Sequence, residues 1–127
     1  MQTLTALLFD DFETLDLFGP IEMFGCLPEH YRLQFAMQTV AVSELAHQTD
    51  ILLMVGGMGT RQQINHRPFL QTLTILVDHA DWVLSVCTGS ALLAKAGVLD
   101  DKRATSNKLS WQWVIAQSDK VHWAEQA

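Results

Sequence analysis

Four short apolar runs, alternating with segments of helical spacing, most constrain how this chain can fold. The runs are residues 4–9, 31–37, 51–55 and 82–86. Such runs are typical of strands buried on both faces, as in parallel sheets. Residues 68–79 instead place Phe69, Leu73, Leu76 and Val77 on one face of a helix. The alternation predicts an open, mostly parallel sheet covered by helices.

Shorter elements are predicted in the rest of the chain. We expect helices over residues 20–24, 89–96 and 108–117, an extended piece at 103–105 and a last strand at 121–123. Pro20 suits the first turn of its helix, because its missing N–H would be unpaired there in any case. Trp111, Trp113 and Val114 are predicted to pack in a core or an interface.

Size and composition predict one domain over residues 1–127, because 49% of the residues are apolar and 17% are charged. The net charge of −6, with no Lys or Arg before Arg32, disfavours nucleic-acid binding and gives no secretory signal. The apolar stretch at 51–58 is far shorter than the ~20 residues of a membrane-spanning helix. We expect no membrane association and a cytoplasmic location, where Cys26 and Cys87 stay thiols.

Ligands of open parallel sheets bind at the carboxyl ends of the strands, which directs attention to three loops. These loops are the acidic segment 10–20, the glycine-rich segment 56–59 and the segment 87–90. The five histidines are scattered without the spacing of metal ligands, so we expect no metal site. No cofactor is expected.

Cys87 directly follows a predicted strand and precedes a helix start of small residues, which is the layout of a nucleophile elbow. Ser85 and Gly89 occupy the places where the usual elbow has glycines, so the match is incomplete. A helix amino terminus favours the reactive thiolate. The alternative is a small buried cysteine. We interpret Cys87 as functional and Cys26 as structural or incidental.

The glycine-rich segment 56–59 lacks the spacing and the Lys of a phosphate-binding loop. Its backbone N–H groups can approach Cys87 and stabilise an oxyanion, or its glycines simply permit a turn with positive φ. Asp16 likewise is either a solvated loop acid, which composition favours, or a partly buried carboxyl whose raised pKa lets it share a proton with a thiolate.

Taken together, the loops resemble the DJ-1/PfpI superfamily, within the class I glutamine amidotransferase-like fold. The blocks that carry the resemblance are residues 7–10, 15–24, 50–57, 85–90, 94–100 and 103–108. The pattern is most similar to isocyanide (isonitrile) hydratases and to the amino-terminal domains of AraC-type regulators. The resemblance implies a flavodoxin-like three-layer α/β/α sandwich with a mostly parallel sheet and a cysteine nucleophile elbow.

The resemblance also implies roles for particular residues. Cys87 is the nucleophile and Asp16 holds or supplies a proton beside it. Gly57 and Thr88 contribute pocket N–H groups, together with Gly56 and Gly19 as further pocket residues. A hydratase of this kind is a lyase that adds water to a small isocyanide and forms an N-substituted formamide. Members of the family commonly form homodimers near the first helix and the elbow.

Three features differ from the usual family pattern. Ser106 and Asn107 stand where many relatives carry His, which argues against a Cys–His protease. Only about 13 residues separate Met37 from Ile51, close to the minimum for a parallel crossover. The usual carboxyl-terminal strand and helix are not expected within residues 1–127. A hydratase, a non-catalytic ligand- or oxidation-sensing domain and an inactive shortened relative all remain open, and other branches suggest a glyoxalase-like activity.

Overall fold

The computed structural model describes residues 1–37 and 42–126, in which six strands alternate with helices, two of which lie between the third and the fourth strand. The strands are β1 (Gln2–Leu7), β2 (Tyr31–Ala36), β3 (Ile51–Met54), β4 (Trp82–Ser85), β5 (Arg103–Ala104) and β6 (His122–Trp123). The helices are α1 (Thr14–Gly25), α2 (Val42–His47), α3 (Thr60–Gln63), α4 (Arg67–His79), α5 (Gly89–Lys95) and α6 (Trp111–Ile115).

The main sheet has four parallel strands in the order β2-β1-β3-β4. Leu4 of β1 lies beside Leu33 of β2 on one side and Ile51 of β3 on the other. The strands β1 and β3 are almost wholly buried, which explains their continuous apolar sequence. The predicted parallel sheet is confirmed. β5 and β6 form a separate, two-stranded parallel pair.

The strand order creates a switch point between β1 and β3. The chain leaves β1 toward β2 on one side, whereas β3 lies on the other side and leads on to β4. At such a point the two following loops separate and leave a crevice at the carboxyl ends of the strands. The segments after β1, β3 and β4 therefore meet at one edge, as the sequence predicts. The crossover from β2 to β3 contains residues 38–41, which lie outside the described part.

The helix after β1 differs from the prediction. It begins at Thr14, not at Pro20, and Pro20 lies inside it. An internal proline costs a helix about 3 kcal/mol. Leu17 is buried, and Ile21 and Phe24 pack against the core at helical spacing, so burial of this face offsets that cost. The loop after β1 therefore ends at Glu13, the fourth residue of the segment 10–20 that was predicted as a loop, and Asp16 lies in the first turn of α1.

The predicted amphipathic helix at 68–79 corresponds to α4. Its residues Phe69, Leu73 and Leu76 are buried, and Val77 is half-buried against the same core. The ring of Phe69 meets that of Phe9 edge-on, with centroids 5.6 Å apart. This contact anchors α4 to the segment just after β1.

Three tryptophans, Trp111, Trp113 and Trp123, organise the carboxyl-terminal part of the described chain. Trp111 is buried and packs edge-on against Trp123, with ring centroids 6.2 Å apart. Trp113 is half-buried beneath the Arg61 guanidinium, which lies 4.4 Å from the ring centroid. The predicted helix at 108–117 is shorter, Trp111–Ile115, because residues 105–110 form an irregular segment beside Cys87. Within residues 1–37 and 42–126, no helix has the length and apolar character needed to cross a membrane.

Candidate functional site

Cys87 lies in a tight turn between β4 and α5 and has a backbone φ of +54°. A non-glycine residue in this left-handed region costs about 1–3 kcal/mol unless its surroundings hold it there. The carbonyl oxygen of Cys87 accepts hydrogen bonds from the hydroxyls of Ser90 (3.2 Å) and Ser106 (3.0 Å). The two hydroxyl oxygens lie 2.7 Å apart, so when Ser106 donates to the carbonyl, the single Ser90 hydrogen can be donated to Ser106 instead. These contacts offset the strain and hold the turn.

Gly89 allows this turn to lie close to the sheet. A Cβ atom at Gly89 would overlap the carbonyl oxygen of Met54 and would lie 2.9 Å from that of Val55. Only glycine therefore lets α5 begin directly against the end of β3. This is a physical reason for the Thr-Gly-Ser sequence after the cysteine.

The sulfur of Cys87 has a side-chain partner that sequence reasoning did not identify. The amide Nδ2 of Asn107 lies 2.8 Å from Sγ and donates a hydrogen bond to it. The sequence showed that Asn107 replaces a family histidine, but not that its amide contacts the sulfur. Cys26, by contrast, is exposed at the end of α1.

Asp16 lies across the crevice, in the first turn of α1, and is half-buried. Its Oδ2 accepts a hydrogen bond of 3.1 Å from the backbone N–H of Gly56. Burial raises the pKa of the Asp16 carboxyl above its usual value, the negative charge of Glu13 raises it further, and the bond from Gly56 partly opposes both. Asp16 is therefore a partly buried carboxyl in the structure and not a solvated loop acid.

Gly56 is the point at which the acid and the cysteine turn meet. A Cβ atom at Gly56 would lie 2.9 Å from Asp16 Oδ2 and 2.7 Å from the backbone nitrogen of Thr88. The carboxyl of Asp16 and the peptide that follows Cys87 therefore flank the same glycine. The Gly56 carbonyl accepts a 2.9 Å hydrogen bond from Glu13 N–H, which ties the start of α1 to the end of β3.

Gly57 and Thr88 form a second contact between the same loops. Gly57 has a φ of +128° and its N–H donates to Thr88 Oγ1 over 3.0 Å. The N–H that we expected in an oxyanion pocket is thus bonded to a side chain of the protein. Buried Thr60 donates to the Gly57 carbonyl over 2.7 Å. Gly19 has open space where a Cβ would lie, so no close contact requires a glycine there.

A groove of about 570 Å³ lies away from this site, between α4, β4 and α5. Its lining includes Val83, Ser85 and Leu93, but none of the residues of the crevice around Gly56. In the described part of the chain, no three His, Cys, Asp or Glu side chains are grouped as metal ligands.

A cysteine turn after a parallel strand, with an acid facing it at the switch point, defines a class of α/β proteins with cysteine-centred sites. Residues 34–126 match the DJ-1/PfpI family. Because the match covers most of the chain, the protein belongs to the DJ-1/PfpI family.

Among proteins with assigned functions, the chain is 30% identical over 114 residues to the isonitrile hydratase of Pseudomonas putida. This match covers 80% of the chain and 50% of the hydratase, so the chain spans about half the length of that relative. An uncharacterized Streptomyces lividans protein is 31% identical over 126 residues, 84% of this chain and 86% of that protein.

The fold is shared with solved structures of low sequence identity. The crystal structure of an AraC family transcriptional regulator from Pseudomonas putida superimposes with a TM-score of 0.80 at 13% identity. The superposition covers 99% of this chain and 77% of the regulator chain. The expected flavodoxin-like fold is confirmed.

Proposed function

We propose that this protein is a cysteine-dependent enzyme of the isonitrile hydratase type, a lyase that converts a small isocyanide into an N-substituted formamide. The observation that carries the proposal is the convergence of Asp16 and the Cys87 turn on Gly56. A nucleophile and a proton donor on opposite sides of one crevice are the two groups that this reaction requires. The 30% identity to a hydratase supports the choice of substrate class.

The first chemical step forms a bond between Cys87 Sγ, as the thiolate, and the terminal carbon of the isocyanide. The proton of the Asp16 carboxyl moves to that carbon, which gives a thioimidate and leaves Asp16 as a carboxylate. The raised pKa of Asp16 suits this role, because the carboxyl keeps its proton at a higher pH than an ordinary aspartate does.

Water completes the reaction. Its oxygen adds to the thioimidate carbon, one of its protons goes to the nitrogen, and the remaining hydroxyl proton passes to the Asp16 carboxylate. The carbon–sulfur bond then breaks, the electron pair returns to Cys87 as thiolate, and the formamide leaves. The reaction consumes one isocyanide and one water and restores both side chains, so no cofactor enters the balance.

The test is turnover of an alkyl isocyanide by the wild type and by Cys87→Ala, Asp16→Asn and Cys26→Ala, with the formamide product measured by mass spectrometry. We expect Cys87→Ala and Asp16→Asn to lose turnover. Cys26→Ala is the matched control, since Cys26 lies outside the crevice, and it should keep full activity. Retained turnover in Cys87→Ala contradicts the proposal.

A second candidate is a non-catalytic ligand- or oxidation-sensing domain. The observation that favours it is that the side chain bonded to Cys87 Sγ is an amide, which can hold the sulfur but cannot act as the base of a catalytic pair. Oxidation of Cys87 by dilute peroxide, together with no isocyanide turnover by the wild type, supports this candidate. An inactive relative would show neither isocyanide turnover nor oxidation of Cys87 by dilute peroxide.

We also propose that the chain acts as a single domain, in the cytoplasm, as a homodimer formed through α1. One face of α1 packs on the core, while Leu15, Phe18 and Met23 on the other face are more than half exposed. A second apolar face on a helix is typical of an interface. This face begins beside Asp16, so a partner molecule there lies next to the crevice.

A further inference from the structure

Asn107 contacts Cys87 in a single orientation. Its Oδ1 accepts a 2.7 Å hydrogen bond from the backbone N–H of Leu109, a local turn that asparagine often forms. Rotating the amide by half a turn would place Nδ2 against that N–H and Oδ1 against the sulfur. The bond to Leu109 therefore keeps the NH₂ group directed at Cys87 Sγ, where it lies 2.8 Å away.

Neighbouring contacts hold Asn107 in position. Ser106, the preceding residue, donates to the Cys87 carbonyl oxygen over 3.0 Å. Lys108, the following residue, donates through Nζ to the Ser106 carbonyl oxygen over 2.8 Å and lies over the Trp111 ring. Residues 106 and 107 thus contact the backbone and the side chain of the same cysteine, which fixes the distance between amide and sulfur.

The carboxamide of Asn107 can act on the sulfur of Cys87 only as a hydrogen-bond donor. It donates a hydrogen bond, which is stronger to an anionic sulfur than to a neutral one. It has no proton to give up and no basic site for taking one near neutral pH. A histidine at this place would act as a base, whereas Asn107 leaves all proton transfer to other groups.

We propose that Asn107 is a positioning residue that stabilises Cys87 as a thiolate, before attack and again as the leaving group, and so separates anion stabilisation from proton transfer in this site. The inference rests on the proposed function for its catalytic consequence. Asn107 holds the sulfur, and Asp16 across Gly56 supplies and recovers the proton. The charged groups on the elements around the turn are Asp16 and Glu13 on the α1 side, with Arg61 and Lys108 near α6.

The matched variants are Asn107→Asp and Asn107→Leu. Asn107→Asp has the same shape and keeps an oxygen for the Leu109 N–H, but it presents a carboxylate oxygen to the sulfur in place of a donor. Asn107→Leu removes the donor without adding a charge. Leu109→Ala is the control, because its exposed side chain plays no part in the turn, which uses the Leu109 backbone.

The experiment measures the rate of iodoacetamide alkylation of Cys87 against pH in the full chain by peptide mass spectrometry, with exposed Cys26 as the internal reference. We expect Asn107→Asp to move the half-maximal rate upward by about one pH unit, which slows alkylation roughly tenfold at pH values below the wild-type midpoint. Asn107→Leu should shift in the same direction by less, and Leu109→Ala should match the wild type. Circular dichroism checks that each variant is folded.

Identical alkylation profiles for the wild type and both folded Asn107 variants overturn the inference. Alkylation needs no isocyanide, so its outcome is independent of turnover. A profile that shifts in a protein without hydratase activity supports Asn107 and contradicts the proposed reaction. Full isocyanide turnover combined with unshifted alkylation profiles supports the proposed reaction and contradicts the role of Asn107. If Asn107→Asp does not fold, Asn107→Leu decides the question alone.

Discussion

Asp16 and Gly56 are 40 residues apart in the chain, and the N–H of Gly56 donates to Oδ2 of Asp16 over 3.1 Å. The bond joins the first turn of α1 to Gly56, the second residue after β3. It fixes the carboxyl beside the peptide that follows Cys87, because the same glycine also faces the Thr88 nitrogen. The absence of a side chain at Gly56 is therefore a condition for the whole site.

Gly56→Ala should disrupt the site more than it disrupts the fold. The new Cβ would lie 2.7 Å from a backbone nitrogen and 2.9 Å from Asp16 Oδ2, so the acid or the turn must move. We expect a loss of about 1–3 kcal/mol in the free energy of unfolding and at least a tenfold loss of isocyanide turnover. Urea unfolding and turnover assays measure the two effects. Gly25→Ala is the control, since its Cβ would meet Leu33 at an ordinary 3.6 Å.

Asp16→Asn should stabilise the protein at neutral pH. Burial, aided by the charge of Glu13, raises the pKa of Asp16 in the folded state despite the bond from Gly56, so folding favours the protonated form. This contribution is present at a pH below the unfolded pKa and is lost as the pH rises through the folded pKa. The melting temperature of Asp16→Asn should therefore exceed that of the wild type at pH 7.5, by a margin that shrinks toward pH 3.5. Exposed Asp119→Asn controls for the loss of one charge.

Thr88→Val should show how much the Thr88 hydroxyl, which joins the loops after β3 and β4, contributes to the free energy of unfolding. Valine has the shape of threonine, but it leaves the Gly57 N–H without the acceptor that it has in Thr88 Oγ1. We expect a loss of about 1–3 kcal/mol in unfolding free energy. The matched variant Thr74→Val, at an exposed position of α4, should change stability by no more than about 0.5 kcal/mol. Equal losses of unfolding free energy in Thr88→Val and Thr74→Val would contradict a structural role for the Thr88 hydroxyl.

Phe69→Ala should cost far more than a substitution on the outer face of the same helix. Phe69 is 1% exposed and packs on Phe9, so its removal leaves a cavity and should cost about 3–5 kcal/mol. Ile75, also in α4, is 42% exposed, and Ile75→Ala should cost about 1 kcal/mol or less. Chemical unfolding of the two variants side by side measures the difference.

Phe18→Glu should dissociate the proposed homodimer. Its side chain is 58% exposed on the outer face of α1, and a charge there would have to be buried in a symmetric interface. Sedimentation should show a dimer for the wild type and a monomer for Phe18→Glu at micromolar concentration. Leu109→Glu, outside α1, should remain dimeric. A monomeric wild type refutes the dimer without affecting the assignment of Cys87.

Local patterns were sufficient for the sheet and for the place of the site. Continuous apolar runs cannot tolerate exposure on either face, so β1 and β3 had to lie inside a helix-covered parallel sheet. The carboxyl ends of such strands share one edge, so the sequence alone predicts that the loops of Asp16, Gly56 and Cys87 lie together. The Cys-Thr-Gly-Ser order predicted the tight turn, in which Cys87 is left-handed and Gly89, two positions later, lets the helix start against the sheet.

Tertiary packing decided the hydrogen bonds and the protonation of the side chains in the site. Pro20 suggested a helix start by its local chemistry, yet α1 begins at Thr14, because burial of Leu17 outweighs the cost of an internal proline. That shift moved Asp16 from a loop into a helix and gave it the Gly56 bond and the raised pKa. Asn107 reaches Cys87 across 20 residues only through the fold of the segment after β5. The sequence by itself determined which loops lie at the same edge of the sheet, since apolar periodicity and backbone chemistry are local. The protonation and hydrogen-bond partners of their side chains depend on distances and burial, which only the folded chain sets.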